Sequence, residues 1–238
     1  MKSRHRSVEA MVDDQVRRWE LLSKADEAKP AEPVIALTRL PGSGGDLIAE
    51  RLAGQTGFDL FDTRIIEKVA ESANLSSACI KTLDGRRISW VENWVLALRT
   101  ERYLWREEYI RHLARVIAVI GKHGRAVILG RGASFILPPE ECLRVLVIAP
   151  LEYRIENVRK ELGLSAEDAK QRVVTIESER RAYIRQYFHA DMSDPIHYDL
   201  VLNTAFLDVG EAVQTILAAR KAKMTFLGAR ASGKTVRK

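Results

Sequence analysis

The sequence predicts an α/β protein built on a parallel five-stranded sheet with helices on both faces. Three observations predict it. Short unbroken apolar runs, such as Ala126-Val127-Ile128-Leu129 and Val145 to Ile148, have the length and composition of strands buried on both sides. Stretches with helical spacing alternate with these runs, the order that gives a parallel sheet with crossover helices. The first run, Val34, Ile35 and Leu37, breaks into Pro41-Gly42-Ser43-Gly44-Gly45 before a helical pattern with Leu47, Ile48 and Leu52 on one face.

In chain order, residues 7–25 read as an amphipathic helix, because Val8, Val12, Val16, Trp19 and Leu22 recur at three- and four-residue spacing. Lys29 to Pro33 breaks it. The expected role of this helix is packing, on the main domain or on a second subunit. Gln55-Thr56-Gly57 stops the next helix, Phe58 to Phe61 is a short strand ending at Asp62, and Ile65, Ile66 and Val69 open another helix. Ser76-Ser77 can cap a further one, and residues 88–122 read as predominantly helical, with aromatics expected to be core. After the third strand come Gly130-Arg131-Gly132-Ala133 and the fourth strand, closed by Ala149-Pro150. A helix then carries Arg154, Glu156, Arg159 and Lys160. Ser165-Ala166-Glu167-Asp168 opens an arginine-dense helix by a capping box. A break at Asp194-Pro195, a strand at Leu200-Val201-Leu202 and a helix from about Asp208 to Ala222 complete the pattern. The expected divisions are 1–32, helix and linker; 33–222, the main domain; and 223–238, a disordered basic tail.

Composition narrows the function classes. The chain of 238 residues is 46% hydrophobic and 29% charged, ordinary for a globular protein. No apolar run nears the roughly 20 residues that span a bilayer, and no apolar segment follows the N-terminal charges as in a secretory signal. Two cysteines, Cys79 and Cys142, form no CxxC pattern, so a reducing cytoplasm is the expected setting. The net charge is +6, but residues 219–238 hold seven basic residues and no acid, and without them the remainder carries −1. The basic character therefore belongs to the tail. A solvated end is expected there in preference to a nucleic-acid arm, and its GARASGKT lacks the flanking strand and helix of a phosphate loop.

The glycine loop carries the chemistry. Strand, glycine loop and helix is a phosphate-binding layout, because glycines let the backbone approach and the helix's first N–H groups point at the anion. The usual pattern is GxxxxGK[ST]. Here Gly45 stands at the lysine position and Asp46 at the Ser/Thr position. Ligands of such sheets sit at the carboxyl ends of strands, where the loop, Asp62 and Arg131 fall.

The stretches TRLPGSGGDLIAERLA, FDLFD, AVILGRGASFIL, VLVIAPLEYRIENV, RRAYIRQYF and SDPIHYDLVLNT resemble, in order and spacing, the cytidylate kinase-like family of P-loop nucleoside monophosphate kinases, over roughly residues 33–217. In this branch the loop commonly reads GSGG without lysine. The resemblance implies a P-loop kinase sheet with a helical lid, and phosphoryl transfer from ATP to CMP or dCMP with Mg²⁺. It assigns Gly42, Ser43, Gly44 and Gly45 to the phosphate cradle, with Asp46 next to them among the expected cofactor-binding residues. It assigns Arg131 to the acceptor's phosphate and Asp62 to the acceptor's sugar or base. Two or three of Arg154, Arg159, Arg181 and Arg185 would close over the phosphates and replace the lysine's charge. The residues themselves leave simpler roles open: a plain turn for the loop, a helix cap for Asp62, a surface ion pair for Arg131 and solvated helix faces for the other arginines. The chain departs from the family at Asp46, where arginine is usual, at Gly132, where related kinases often have Asp, and at Ser178, Ile184 and Arg185 in the lid helix. No magnesium ligand is identified by the sequence.

The expected function is thus ATP-dependent phosphorylation of a nucleoside monophosphate, with a small-molecule partner, no membrane or nucleic-acid partner, and oligomerisation, if any, through the N-terminal helix. The alternatives are a nucleotide-binding protein with little activity, which Asp46 favours, and a kinase for another small metabolite.

Overall fold

The computed structural model describes residues 32–71 and 104–231. The expected N-terminal helix, the Ser76-Ser77 cap, Cys79 and the first half of the 88–122 helical stretch lie outside the described residues. The described residues form two compact units, one of residues 61–71 and 104–124 and the other of residues 32–60 and 125–231.

The second unit contains the sheet. Its strands are β1 (Val34–Arg39), β2 (Asp59–Phe61, whose last residue opens the other unit), β3 (Ala126–Leu129), β4 (Cys142–Ile148) and β5 (Leu200–Asn203). Their spatial order is β2-β3-β1-β4-β5. The ladders are parallel, with Ile35 opposite Val127 and Leu143, and Val147 opposite Leu202. β1 is central and buried at all six residues, which explains why its sequence is an unbroken apolar run and not an alternation.

Residue parity along the strands sorts the two faces. Ile35 and Leu37 of β1, Val127 and Leu129 of β3, and Leu143, Val145 and Val147 of β4 share one core with Ile48 and Leu52 of helix α1 (Gly45–Thr56) and with Ala212, Val213 and Ile216 of the last helix. The opposite face of β1 presents Ala36 and Thr38. There Ser134 donates to the Ala36 carbonyl at 3.4 Å and lies 3.3 Å from the Thr38 hydroxyl. Ser134 sits on the one-turn helix α4 (Ala133–Ile136), an element the sequence pattern does not show. The predicted arrangement of helices on both faces is therefore present within this unit.

Helices α5 (Leu151–Leu162) and α6 (Ala166–Phe188) form a hairpin with its own small core of Ile155, Val158, Ala169 and Val173. The predicted cap is present: the Ser165 hydroxyl accepts from the Asp168 N–H at 3.1 Å. The break at Asp194-Pro195 becomes a single 3₁₀ turn, capped by Asp194. In the other unit, α2 (Thr63–Glu71) and α3 (Leu104–His123) pack on each other, and α3 buries Ile110, Leu113, Ile117 and Ile120.

The last helix, α7, runs Val209–Ala231, well past the expected end at Ala222. The assignment of 223–238 to a disordered tail is thereby corrected for its first nine residues. One ion pair anchors the start of the extension, Lys223 to Asp199 at 2.6 Å, and one turn earlier Arg220 pairs with Glu32 at 2.6 Å. Met224, Leu227, Ala229, Arg230 and Ala231 are good helix formers and no proline intervenes, so nothing stops the helix at 222. Cys142, at the start of β4, is fully buried, and burial pushes its thiol up to about 12, which makes it an inert packing residue. No helix among the described residues is long and apolar enough to cross a membrane.

Leu52 is fully buried between α1 and the sheet, whereas Leu47 on the same helix is 45% exposed. Leu52→Ala is expected to cost about 2–5 kcal/mol and Leu47→Ala under about 1 kcal/mol, measured by urea unfolding.

Candidate functional site

The glycine loop joins β1 to α1, and its backbone carbonyls are turned into the protein. The Leu40 carbonyl accepts from the Ser43 hydroxyl at 2.8 Å and the Ser43 N–H at 3.2 Å. The Pro41 carbonyl accepts from Arg154 Nη1 at 3.3 Å, and the Gly42 carbonyl from Asn157 Nδ2 at 2.9 Å. The Ser43 carbonyl accepts from the Thr204 hydroxyl at 2.8 Å. All four carbonyls are occupied, and the first intrahelical bond of α1 runs from Ile48 N–H to Gly44 O. The N–H groups of Gly44, Gly45 and Asp46 thus open the helix without intrahelical acceptors, the arrangement that binds an anion. The glycines are required by geometry. Gly42 and Gly44 have φ of 74° and 75°, and a Cβ at Gly42 would run into the Arg154 carbonyl.

Asp46 is not left facing the cradle alone. Arg39, the last residue of β1, donates Nη2 to Asp46 Oδ1 at 2.9 Å and Nε to Oδ2 at 3.4 Å. The Arg39 side chain is 10% exposed and that of Asp46 63%. Behind them Arg180 Nη1 donates to the Arg39 carbonyl at 3.0 Å. Burial, and then the charges of Arg39 and Arg131, push the Arg180 guanidinium down to about 10, with Asp46 acting the other way. Sequence reasoning missed Arg39 and Arg180. The available signal was position: Arg39 ends the strand that feeds the loop, and Arg180 adjoins Arg181.

Arg131 lies at the end of β3 in an unusual turn. Gly130, Arg131 and Gly132 have φ of 85°, 51° and 71° in succession, and a non-glycine residue in this region stores strain that functional sites tend to hold. The Arg131 guanidinium sits 5.4 Å from the Tyr183 ring centroid. Tyr183, Phe188, Phe135 and His197 continue as a row of ring contacts at 6.0, 5.3 and 5.1 Å. A Cβ at Gly132 would enter the Phe188 ring, which accounts for glycine where related kinases often carry Asp.

Three of the expected lid arginines meet at one cleft. Arg154, Arg181 and Arg185, with Leu151, Val174, Glu177 and Ser178, line a cavity of about 440 Å³ between α5 and α6. Glu177 lies between two of them, 2.9 Å from Arg154 Nη2 and 2.8 Å from Arg181 Nη2. Burial raises the Glu177 carboxyl, but the hydrogen bond from Arg181 and the charge of Arg154 outweigh it and hold the group below its usual range. Arg181 also donates to the Ser193 hydroxyl at 2.9 Å. Arg154 is 5% exposed and donates Nε to the Ala149 carbonyl at 3.0 Å, so it braces the loop from behind.

Two expected residues have local partners of their own. Arg159 is exposed on α5 and pairs with Glu156 at 2.8 Å, a solvated helix face. Asp62 belongs to the other unit, where it accepts from the Ile65 N–H at 2.9 Å as a cap of α2. Among the described residues no group of three or more His, Cys, Asp or Glu side chains forms a metal cluster.

The family model for the cytidylate kinase-like family matches residues 34–205. The chain belongs to this family. It is 24% identical over 184 residues to the cytidylate kinase of Ignicoccus hospitalis, covering 77% of this chain and 96% of that one. It is 27% identical over 198 residues to the cytidylate kinase of Methanopyrus kandleri, covering 78% and 92%. Among solved structures, an uncharacterized protein from Eubacterium ventriosum superposes with a TM-score of 0.63 at 20% identity, covering 80% of this chain and 99% of that one. The match runs from the first residue of β1 to two residues beyond β5, and so takes in the loop, Arg131 and the α5–α6 hairpin.

Because the folded Glu177 carboxyl is held below its ordinary value of 4.5, its contribution to stability is complete above that value and is lost as pH falls beneath it. Glu177→Gln is expected to flatten the acid limb of the stability curve, followed by urea midpoints across a pH series. An unchanged limb would mean that the Arg154–Glu177–Arg181 group does not couple to folding.

Proposed function

We propose that this family member is an ATP-dependent nucleoside monophosphate kinase with CMP or dCMP as acceptor. The observation that carries the reading is the loop whose four carbonyls, Leu40 to Ser43, are all bound inward, leaving the N–H groups that open α1 to receive phosphate. The named activity of the Ignicoccus and Methanopyrus relatives supports it.

Phosphoryl transfer asks the protein mainly for positioning and for neutralising charge. In this reading Gly42 to Asp46 cradle the donor's phosphates. Arg131 holds the acceptor's phosphate through its planar fork, stiffened by its contact with Tyr183. Arg181 and Arg185 close from α6 over the transferred group, with Glu177 fixing the rotamer of Arg181. Magnesium is typically held by one or two carboxylates together with substrate phosphates and water. Asp46, with its exposed carboxylate in the first turn of α1, fits that requirement. A bound Mg²⁺ would neutralise charge on the phosphates.

A second reading, a nucleotide binder with little turnover, is favoured by the Asp46 carboxylate seated on Arg39 beside the cradle. A coupled assay of ADP release over a panel of nucleoside monophosphates separates the two. Turnover of about 1–100 per second on CMP or dCMP is expected; ATP binding without turnover on any acceptor would leave the binder. Arg131→Ala is expected to raise the KM for the acceptor at least about tenfold and to leave the KM for ATP near wild type. Equal losses for both substrates would remove Arg131 from the acceptor site.

A further inference from the structure

The phosphate loop of this chain has no lysine at its usual place, and the arginines expected to replace it are largely engaged on α5 and α6. Arg154 and Arg181 share Glu177, and Arg159 pairs with Glu156. Arg39 stands differently. In the GxxxxGK[ST] pattern the first glycine falls six positions before the lysine, and here those positions are Arg39 and Gly45. Both differ from the pattern, and they touch. A Cβ placed on Gly45 would lie 2.5 Å from the Arg39 Cβ and 2.8 Å from its Cγ. The contact is with the root of the side chain, which cannot swing away as a flexible tip would. A side chain at 45 and the arginine at 39 therefore exclude each other: the loop can carry its cation at one position or the other.

We propose that Arg39 is the phosphate-binding cation of this loop, its side chain laid across Gly45 in place of the lysine, with Asp46 as the positioning residue that aims it. The inference rests on the kinase reading above and names the residue that supplies the charge.

Three observations carry it. The Arg39 guanidinium already grips a carboxylate with two of its donors, Nη2 and Nε, and the same fork fits two phosphate oxygens. The carboxylate it grips belongs to the first turn of α1, so the guanidinium sits at the helix end whose N–H groups receive an anion. Finally, cations converge behind the loop. Arg39 is largely buried, and Arg180, half-buried, donates to its carbonyl and feels the charges of Arg39 and Arg131, with Asp46 acting the other way. Guanidinium groups drawn together out of water are stabilised when an anion joins them. A nucleotide's phosphates supply it, and Asp46 then yields part of its hold on Arg39 to the incoming oxygens.

The test is calorimetric titration with two probes, ATP and inorganic tripolyphosphate, on four proteins: wild type, Arg39→Ala, Arg39→Gly, and the paired variant R39G/G45K. Thermal unfolding of each reports folding. Wild type is expected to bind both probes. Both single variants are expected to lose about 10- to 100-fold for both, as charge-assisted hydrogen bonds to phosphate disappear. The paired variant restores the common arrangement, glycine at 39 and lysine at 45, and is expected to recover most of the lost affinity. Should the single variants unfold, the paired variant, which has a cation and no clash, carries the decision: binding near wild type supports the exchange of positions, and a folded protein that does not bind overturns it. Single variants that are folded and bind tripolyphosphate as wild type does would also overturn it, while leaving the kinase reading standing. A wild-type protein that binds neither probe would sink the kinase reading and this inference with it.

Discussion

Fixing the glycine loop from behind is the constraint on which this structure turns. A strand-to-helix loop rich in glycine has little reason to hold one shape, since each glycine loses more backbone freedom on folding than any other residue. Here the cost is offset by donors from three separate places: Ser43 within the loop, Arg154 and Asn157 on α5, and Thr204 after β5. The parallel register of β1, β4 and β5 brings these donors to one end of the sheet. With the carbonyls turned away, the opposite side of the backbone can present only N–H groups.

The same economy explains the charges. Arg154 is a buried cation, and such groups persist only when paired and hydrogen-bonded. It bonds two carbonyls and Glu177, and Glu177 in turn holds Arg181. The glycine loop, the end of the fourth strand and the α5–α6 hairpin are thereby linked through one guanidinium. A buried pair of this kind is costly to break, about 3–5 kcal/mol when one partner is removed. It is better understood as setting geometry than as adding stability.

The fold is readable from residue types because the inner strands β1, β3 and β4 are buried on both faces. Their apolar runs name them, and parity along β1 agrees with which side chains meet α1 and which meet Ser134. The glycine loop was readable for a related reason: few backbones other than a tight turn need φ values like those of Gly42 and Gly44. What stayed hidden depends on side-chain direction across long sequence separations. Nothing local tells that Arg180 reaches the carbonyl of Arg39, 141 residues away, or that Asp46 faces an arginine on the preceding strand. Arg154 and Arg159 looked alike on one helix, yet one is buried behind the loop and the other lies on the surface. The end of α7 is hidden in the sequence because a run of basic residues reads as a solvated tail, whereas Lys223 has an acid within reach on the segment before β5.

Gly132 carries a consequence beyond its own turn. Its missing side chain is the space into which the Phe188 ring fits, so residues 56 positions apart on two elements share one volume. A chain that acquires a side chain at 132 must give up the ring at 188, and with it the stack that runs through Phe135 to His197. The two positions are therefore sterically coupled. Among relatives, a glycine at the first should travel with a large ring at the second, and an acid with something smaller, so that the pair records in the sequence which packing a given lineage has adopted.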